Sequence, residues 1–423
     1  MSAPVRPPPI VLDDLARPRF SEEALNILDL MSEAGAATSL EPDALMGAAV
    51  AETGLGDFGP DDFAPRLHVL CRSLREEARL NSAGVLAQAV LVTGLLRNRL
   101  LLEDLVGRHP EILDERVEKP IVICGLPRTG TTHLHNLMSS DPALRSLPYW
   151  ESMEPVLAER ERPAAGDPDP RWERTEMALS FLDVAMPEFK RMHEMTVDHV
   201  HEEIQLLAID FSTMLFETIA PIPSWRDDYL ARDQRPSYAY LKKILQALQW
   251  LRGGTRWVLK SPQHLEQFPA LRDTFPDATF VVTHRDPVSV TASMLTMLAY
   301  SLRLGHDQVD LPWVGDYWSE RLRTMLQACV DERDVLPATR SIDVHFDEFM
   351  ADDVAMVRRI YDLADQPYTD VADAAMASFM EQNPRGRHGA VLYDLSQFGT
   401  DRARLREALS FYVDHFGVSE EGG

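Results

Sequence analysis

Between a β-branched run, Ile121-Val122-Ile123-Cys124, and a helical pattern through Leu134, Leu137 and Met138, the chain reads Gly125-Leu126-Pro127-Arg128-Thr129-Gly130-Thr131-Thr132. This strand, G-x-x-x-x-G loop and helix constrain the fold more than any other stretch. The loop works only where the carboxyl end of a strand feeds the amino end of a helix, so that successive backbone N–H groups and the first helical turn can cradle a phosphate. The rest of the chain is consistent with that unit. Short strand-like runs at Arg256-Trp257-Val258-Leu259, at Thr279-Phe280-Val281-Val282-Thr283 and at Ser341 to Phe346 each precede helix-compatible sequence. Strands alternating with helices predict an α/β fold, a P-loop-like, mainly parallel sheet flanked by helices on both faces.

Ahead of Pro120 the texture is helical, with Leu67, Leu70, Cys71 and Leu74 at helical spacing and a stop at Pro110. Residues 1–118 therefore read as an N-terminal helical extension, of which the proline-rich 1–20 reads as a loose arm. Residues 119–418 read as the core, carrying a helical insert at about 171–250 over the carboxyl edge of the sheet, with a loop at 161–170 before it.

Charge excludes one class of partner. Lys and Arg number 42 against 67 Asp and Glu, a net charge of −25, which opposes binding to a nucleic-acid polyanion and to anionic membranes. The three cysteines, Cys71, Cys124 and Cys329, are too far apart for a metal motif or a disulfide framework, which suits a reducing, cytoplasmic setting. The opening MSAPVRPPPI has no apolar leader core. The uncharged run between Arg79 and Arg97 carries Asn81, Ser82, Gln88 and Thr93, and reads as a buried helix and not an integral membrane segment.

A nucleoside triphosphatase would place Lys, then Ser or Thr, after the second glycine. Here Thr131 occupies that place and the cation lies inside the loop as Arg128. Such a loop suits a phosphate-bearing donor but lacks the lysine that spans the β- and γ-phosphates of ATP and GTP. The run PRTGTTHL, residues 127–134, resembles the 5′-phosphosulfate-binding loop of sulfotransferases that use 3′-phosphoadenosine 5′-phosphosulfate (PAPS). A second family element is an Arg at a strand end with a Ser eight residues later, both on the donor's 3′-phosphate; THRDPVSVTAS supplies Arg285 and Ser293. A third, looser one is Asn383-Pro384-Arg385-Gly386-Arg387-His388-Gly389, followed by Tyr393, which resembles the segment closing over the nucleotide in the large bacterial-type branch. The resemblance covers roughly residues 60–415. It implies donor contacts from Arg128, Thr129, Gly130, Thr131, Thr132, Arg285, Ser293 and Arg387.

Sulfuryl transfer requires a cation for the bridging oxygen, donors for the equatorial oxygens and a base for the acceptor's proton. Arg128 and the loop amides fill the first two roles, with Lys260 as a second cation. Two residues compete as base. KSPQHL, residues 260–265, is similar to the Lys-Thr/Ser-His-Leu-Pro segment of cytosolic sulfotransferases and nominates His264, although Pro262 displaces it from the family position. RSLPYWESMEP, residues 145–155, resembles the region where heparan- and tyrosylprotein-type enzymes carry a Glu, and nominates Glu151.

His199-Val200-His201-Glu202-Glu203 lacks the spacing of a metal motif, and no metal is required where Arg128, Lys260 and the amides supply the positive field. His201 and Glu202 are carried as acceptor-pocket residues, with Met192, Met195, Met214 and Phe216 as candidate lining. The sequence reading is thus a PAPS-dependent sulfotransferase acting on a hydroxyl, less readily an amine, of a small-molecule or lipid acceptor. The rivals are a P-loop small-molecule kinase and a non-catalytic nucleotide-binding scaffold.

Overall fold

The computed structural model describes residues 7–164 and 166–421. Its centre is a parallel four-stranded sheet of β2 (Ile121–Cys124), β3 (Val258–Ser261), β4 (Thr279–His284) and β5 (Ser341–His345), in the order β3-β2-β4-β5. Register pairs Ile123 with both Lys260 and Val281, so the carboxyl ends of β2, β3 and β4 finish side by side. The loop after β2, Lys260 and Arg285 therefore meet at one edge.

Strand residues divide between two hydrophobic clusters by alternation, as a sheet buried on both faces requires. Val122, Cys124, Leu259, Phe280 and Val282 face a large cluster shared with the N-terminal helices and the insert. Ile121, Ile123, Val258, Val281 and Val344 face a smaller one built with Leu134, Leu137, Val357 and Ile360. The third strand lies two residues later than the sequence suggests. Arg256 is instead held at the rim, where its carbonyl accepts from Arg145 N at 2.7 Å and its Nε donates to the Lys119 carbonyl at 2.9 Å.

Four helices precede the sheet: Glu22–Gly35, Pro42–Thr53, Ala64–Glu76 and Ser82–Arg108. The last is, among the described residues, the one helix long and apolar enough to cross a membrane. Here it lies against the main core through Leu96, Leu100, Leu102 and Leu105, all fully or nearly fully buried.

The N-terminal arm is not loose from Pro7 onward; residues 1–6 lie outside the described residues. A short strand β1 (Ile10–Val11) pairs in parallel with β6 (Val391–Leu392), Leu12 and Leu15 are buried, and Asp14 accepts from Arg303 at 2.7 Å. Paired backbone and two buried leucines outweigh the tendency of a proline-rich terminus to fray. The insert also departs from a run of long helices. Helices Pro170–Ala185 and Arg235–Arg252 are long, but 186–203 is mostly turns and irregular chain, and short helices follow it. That irregular stretch walls the site.

Candidate active site

The loop is shaped by two glycines with different jobs. At Gly125 a Cβ would stand 1.9 Å from Thr283 Oγ1 on the neighbouring strand, so only glycine lets β2 and β4 close at this point. Gly130 has φ +88° and caps the helix Thr131–Ser139, whose first-turn N–H groups have no intrahelical acceptor. Replacing Gly125 with Ala should cost about 1–3 kcal/mol through overpacking, read as a lowered urea midpoint with an unchanged slope. A midpoint equal to the parent's would refute this account of the loop.

Arg128 is also left-handed, with φ 72°, a conformation that costs a non-glycine residue and marks a functional constraint. That turn aims its carbonyl at Arg285, whose Nη1 donates to it at 2.6 Å, and sends the side chain into a cavity. There Nη1 donates to the Met192 carbonyl at 2.6 Å, while Nε is buried without a partner. Thr129 does not face an anion. Its Oγ1 donates to the Leu126 carbonyl at 2.7 Å and lies 2.7 Å from Thr283 Oγ1, bracing the loop. Thr131, at the place of a triphosphatase lysine, is 1% exposed, whereas Thr132 lines the cavity.

Two cavities flank this loop, and Arg128 and Arg285 line both. The larger, about 910 Å³, runs under the insert and holds His193, His199, His201 and Glu202 among many apolar side chains. The second, about 800 Å³, holds Ser289, Ser293, Tyr393, Arg402 and Glu421. Ser293 Oγ donates to Tyr393 OH at 2.9 Å, and Arg285 Cζ lies over the Phe346 ring, 4.0 Å from its centroid. The Glu421 carboxylate is gripped by Arg285 Nε and Nη2 at 2.5 and 2.8 Å, and its carbonyl accepts from Arg402 at 3.1 Å. An oxyanion thus sits on the fork that sequence reasoning assigned to a phosphate.

Lys260, 2% exposed, is the next-to-last residue of β3 and lines neither cavity itself. Its Nζ is paired with Glu202 Oε1, and its backbone N donates to Glu203 Oε2 at 2.8 Å. The His-Glu-Glu run is therefore fastened to the strand end by both carboxylates. His201 lines the larger cavity with neither ring nitrogen partnered. Burial, with nearby His199, His193 and Lys260, drives its pKa well below the usual imidazole value. Burial and Lys260, against Glu194, bring His199 down to about 4, and burial with His199, Lys260 and Arg128 brings His193 down to about 3, both toward the neutral imidazole. Among the described residues no group of three or more His, Cys, Asp or Glu could hold a metal ion.

Both sequence-nominated bases are turned away from this space. Glu151 is fully buried outside the cavity, with Arg145 Nη2 on its two oxygens at 2.9 and 2.7 Å and Arg252 Nη1 on one at 2.9 Å. Two guanidinium groups pair with this carboxylate and hold it in place. His264 is fully buried as well. Pro262 starts the 3₁₀ turn Pro262–Glu266, which swings the ring behind the strand, where Nδ1 meets Tyr238 OH at 2.7 Å and Nε2 meets Glu203 Oε1 at 2.5 Å.

Arg387 lines the larger cavity and not the second with Ser293. Its guanidinium is taken by Glu194 and by Asn383 Oδ1 at 2.5 Å. Met192, Met195 and Met214 line the cavity as expected, but Phe216 belongs to the core. Arg402 was missed. It opens the helix Arg402–Ala408, where Asp401 is an ordinary N-cap, and nothing in the local spacing marks it.

A model of the Sulfotransferase family matches residues 120–370, more than half of the chain, and the protein belongs to that family. The omega-hydroxy-beta-dihydromenaquinone-9 sulfotransferase Stf3, from Mycobacterium bovis and from Mycobacterium tuberculosis, is 22% identical over 257 residues. That match takes in 58% of this chain and 62% of each relative's length. Among solved structures, sulfotransferase STF9 from Mycobacterium avium is 26% identical with a TM-score of 0.81, over 92% of this chain and 99% of that one. STF1 from Mycobacterium tuberculosis H37Rv is 27% identical with a TM-score of 0.74, over 87% and 98%.

Proposed function

We propose that this protein transfers the sulfuryl group of PAPS to a hydroxyl on a largely apolar, lipid-like acceptor, leaving adenosine 3′,5′-bisphosphate. The observation that carries the reading is the convergence of Arg128 and Arg285 on the wall between the two cavities. It gives a donor with two separate anionic groups two cationic stations at one sheet edge. Arg285 with Ser293 and Arg402 suits the 3′-phosphate, and the loop amides with Arg128 and Lys260 suit the phosphosulfate. Their fit is supported by the partnerless Arg128 Nε and by the glycine-only approach at Gly125.

The acceptor side is supported by the larger cavity, whose walls include Leu182, Met186, Phe189, Ile219, Met297 and Leu298. Flexible methionines and leucines accommodate a hydrocarbon chain of irregular shape, and the relative Stf3 is named for a hydroxylated menaquinone. The three free, buried cysteines accord with a cytoplasmic site of action.

Calorimetry with adenosine 3′,5′-bisphosphate and with Mg·ATP tests the donor. The bisphosphate should bind in the micromolar range and ATP at least about a hundredfold more weakly, for want of a lysine at Thr131. Arg285→Ala should weaken bisphosphate binding by about 10²–10³, the loss of charge-assisted bonds to one phosphate. Tight Mg²⁺-dependent ATP binding with none for the bisphosphate would establish the kinase reading instead.

A further inference from the structure

We propose that His201 takes the acceptor's proton during transfer, an inference that rests on the PAPS-dependent reading above. His201 is 7% exposed and lines the cavity shared with Arg128 and Glu202, yet Nδ1 and Nε2 both lack a partner. Two buried polar atoms without hydrogen bonds are costly, and their retention calls for something that enters the cavity to meet them.

The ring is placed by backbone rather than by its own bonds. His201 N donates to the Leu147 carbonyl at 2.7 Å, Tyr149 N to the His199 carbonyl at 2.9 Å and Trp150 N to the Val197 carbonyl at 3.1 Å. The Tyr149 ring stands edge-on at 4.7 Å. On its carboxyl side Glu202 and Glu203 tie the chain to Lys260 Nζ and N. The imidazole is thus held one residue from the clamp on the proposed sulfuryl-side cation with both nitrogens free, the arrangement a positioned base needs.

The groups facing the ring are His199 and His193 from the irregular stretch, His135 from the loop helix, Lys260 from β3, and Tyr149 and Glu202 beside it. Burial and the cationic member keep the imidazole neutral, so one nitrogen is available to accept. An anionic donor entering beside Lys260 adds negative charge and raises the ring's proton affinity, so base strength develops once the donor is bound. Glu202 is the weaker candidate because Lys260 already occupies one of its oxygens.

In the step itself the acceptor oxygen bonds to sulfur as the bond from sulfur to the 5′-phosphate oxygen breaks. The bisphosphate leaves with that electron pair. The hydroxyl proton passes to a His201 nitrogen and is released to water after product departure.

The test measures PAPS consumption with 1-decanol and with water as acceptors, in the parent, His201→Ala and the near-isosteric His201→Asn, alongside bisphosphate affinity. Both variants should lose about 10²–10³ in kcat while the bisphosphate Kd stays within about threefold, and imidazole should restore His201→Ala by at least about tenfold. The acidic limb of the parent's kcat profile, where a protonated ring can no longer accept, should be absent from His201→Asn. A His201→Asn enzyme with kcat within threefold of the parent overturns the proposal, as does a parent that binds bisphosphate yet consumes PAPS with neither acceptor. A parent that binds no bisphosphate overturns the donor reading, and this proposal with it.

Discussion

Arg321→Leu should lower stability by about 3–5 kcal/mol at pH 8, the cost of leaving buried carboxylates without their counter-charge. Arg321 is 1% exposed. Its Nε donates to Glu217 Oε1 at 2.8 Å, and Nη1 and Nη2 donate to Glu266 Oε2 and Oε1, each at 2.6 Å. Tyr317 OH donates to the other Glu217 oxygen at 2.7 Å. Even with that help, burial holds the Glu217 carboxyl above the usual range, and Arg321 is the largest influence drawing it down. Removing the cation raises the folded-state pKa of Glu217 further. A carboxyl whose folded pKa lies above its unfolded value binds more protons in the native state, so stability falls as pH rises between the two. The deficit of Arg321→Leu should therefore shrink on going from pH 8 to about pH 5, and adding Glu217→Gln and Glu266→Gln should recover part of it at pH 8. Urea unfolding at both pH values reads this out. A deficit under 1 kcal/mol, or one that grows toward acid, refutes the account. The network matters to the site because Glu266 ends the turn that follows Lys260, while Glu217 belongs to the insert.

What could be read from the chain follows the range over which each interaction acts. The phosphate loop is local: a β-branched run, two glycines and a helix pattern lie within one short stretch, and the structure brings them together as the spacing implies. Arg285 and Ser293 are on one turn and helix, so their shared cavity also follows from spacing. The base does not. Glu151 is held outside the cavity by Arg145 and by Arg252, the latter 101 positions away with no local pattern to connect it. His264 is held outside it by a proline turn and by Glu203, 61 positions distant. His201 and Glu202 looked like an ill-spaced metal motif. The insert's interruption at 186–203 leaves them in irregular chain, where both reach the larger cavity, and no periodicity in the sequence marks that. The anchoring of the arm by β1 against β6 depends on a pairing across nearly the whole chain. Two-residue strands carry no periodicity to announce it.

Lys260→Met should reduce kcat by about 10²–10³ while changing the bisphosphate Kd by less than about tenfold. A cation aimed at charge that develops in transfer is worth far more to the transition state than to the bound ground state. Its setting favours that role. Lys260 is 2% exposed, so its field is weakly screened, and its backbone is fixed by Glu203. Its ammonium is paired with Glu202, one of three carboxylates that occupy cations here, beside Glu421 on Arg285 and Glu194 on Arg387. A chain at −25 thus keeps its cations in pairs that an incoming anion can replace. Lys260→Arg should not restore activity. The planar guanidinium is bulkier than an ammonium and would seek a two-point bond to Glu202 that leaves less of it for the sulfuryl oxygens. Met keeps the length and apolar stem of the lysine, so a folding defect should be small and a urea midpoint near the parent's would show it. A Lys260→Met protein that binds bisphosphate and retains kcat within threefold would remove Lys260 from the chemistry and leave Arg128 as the cation at the bond being broken.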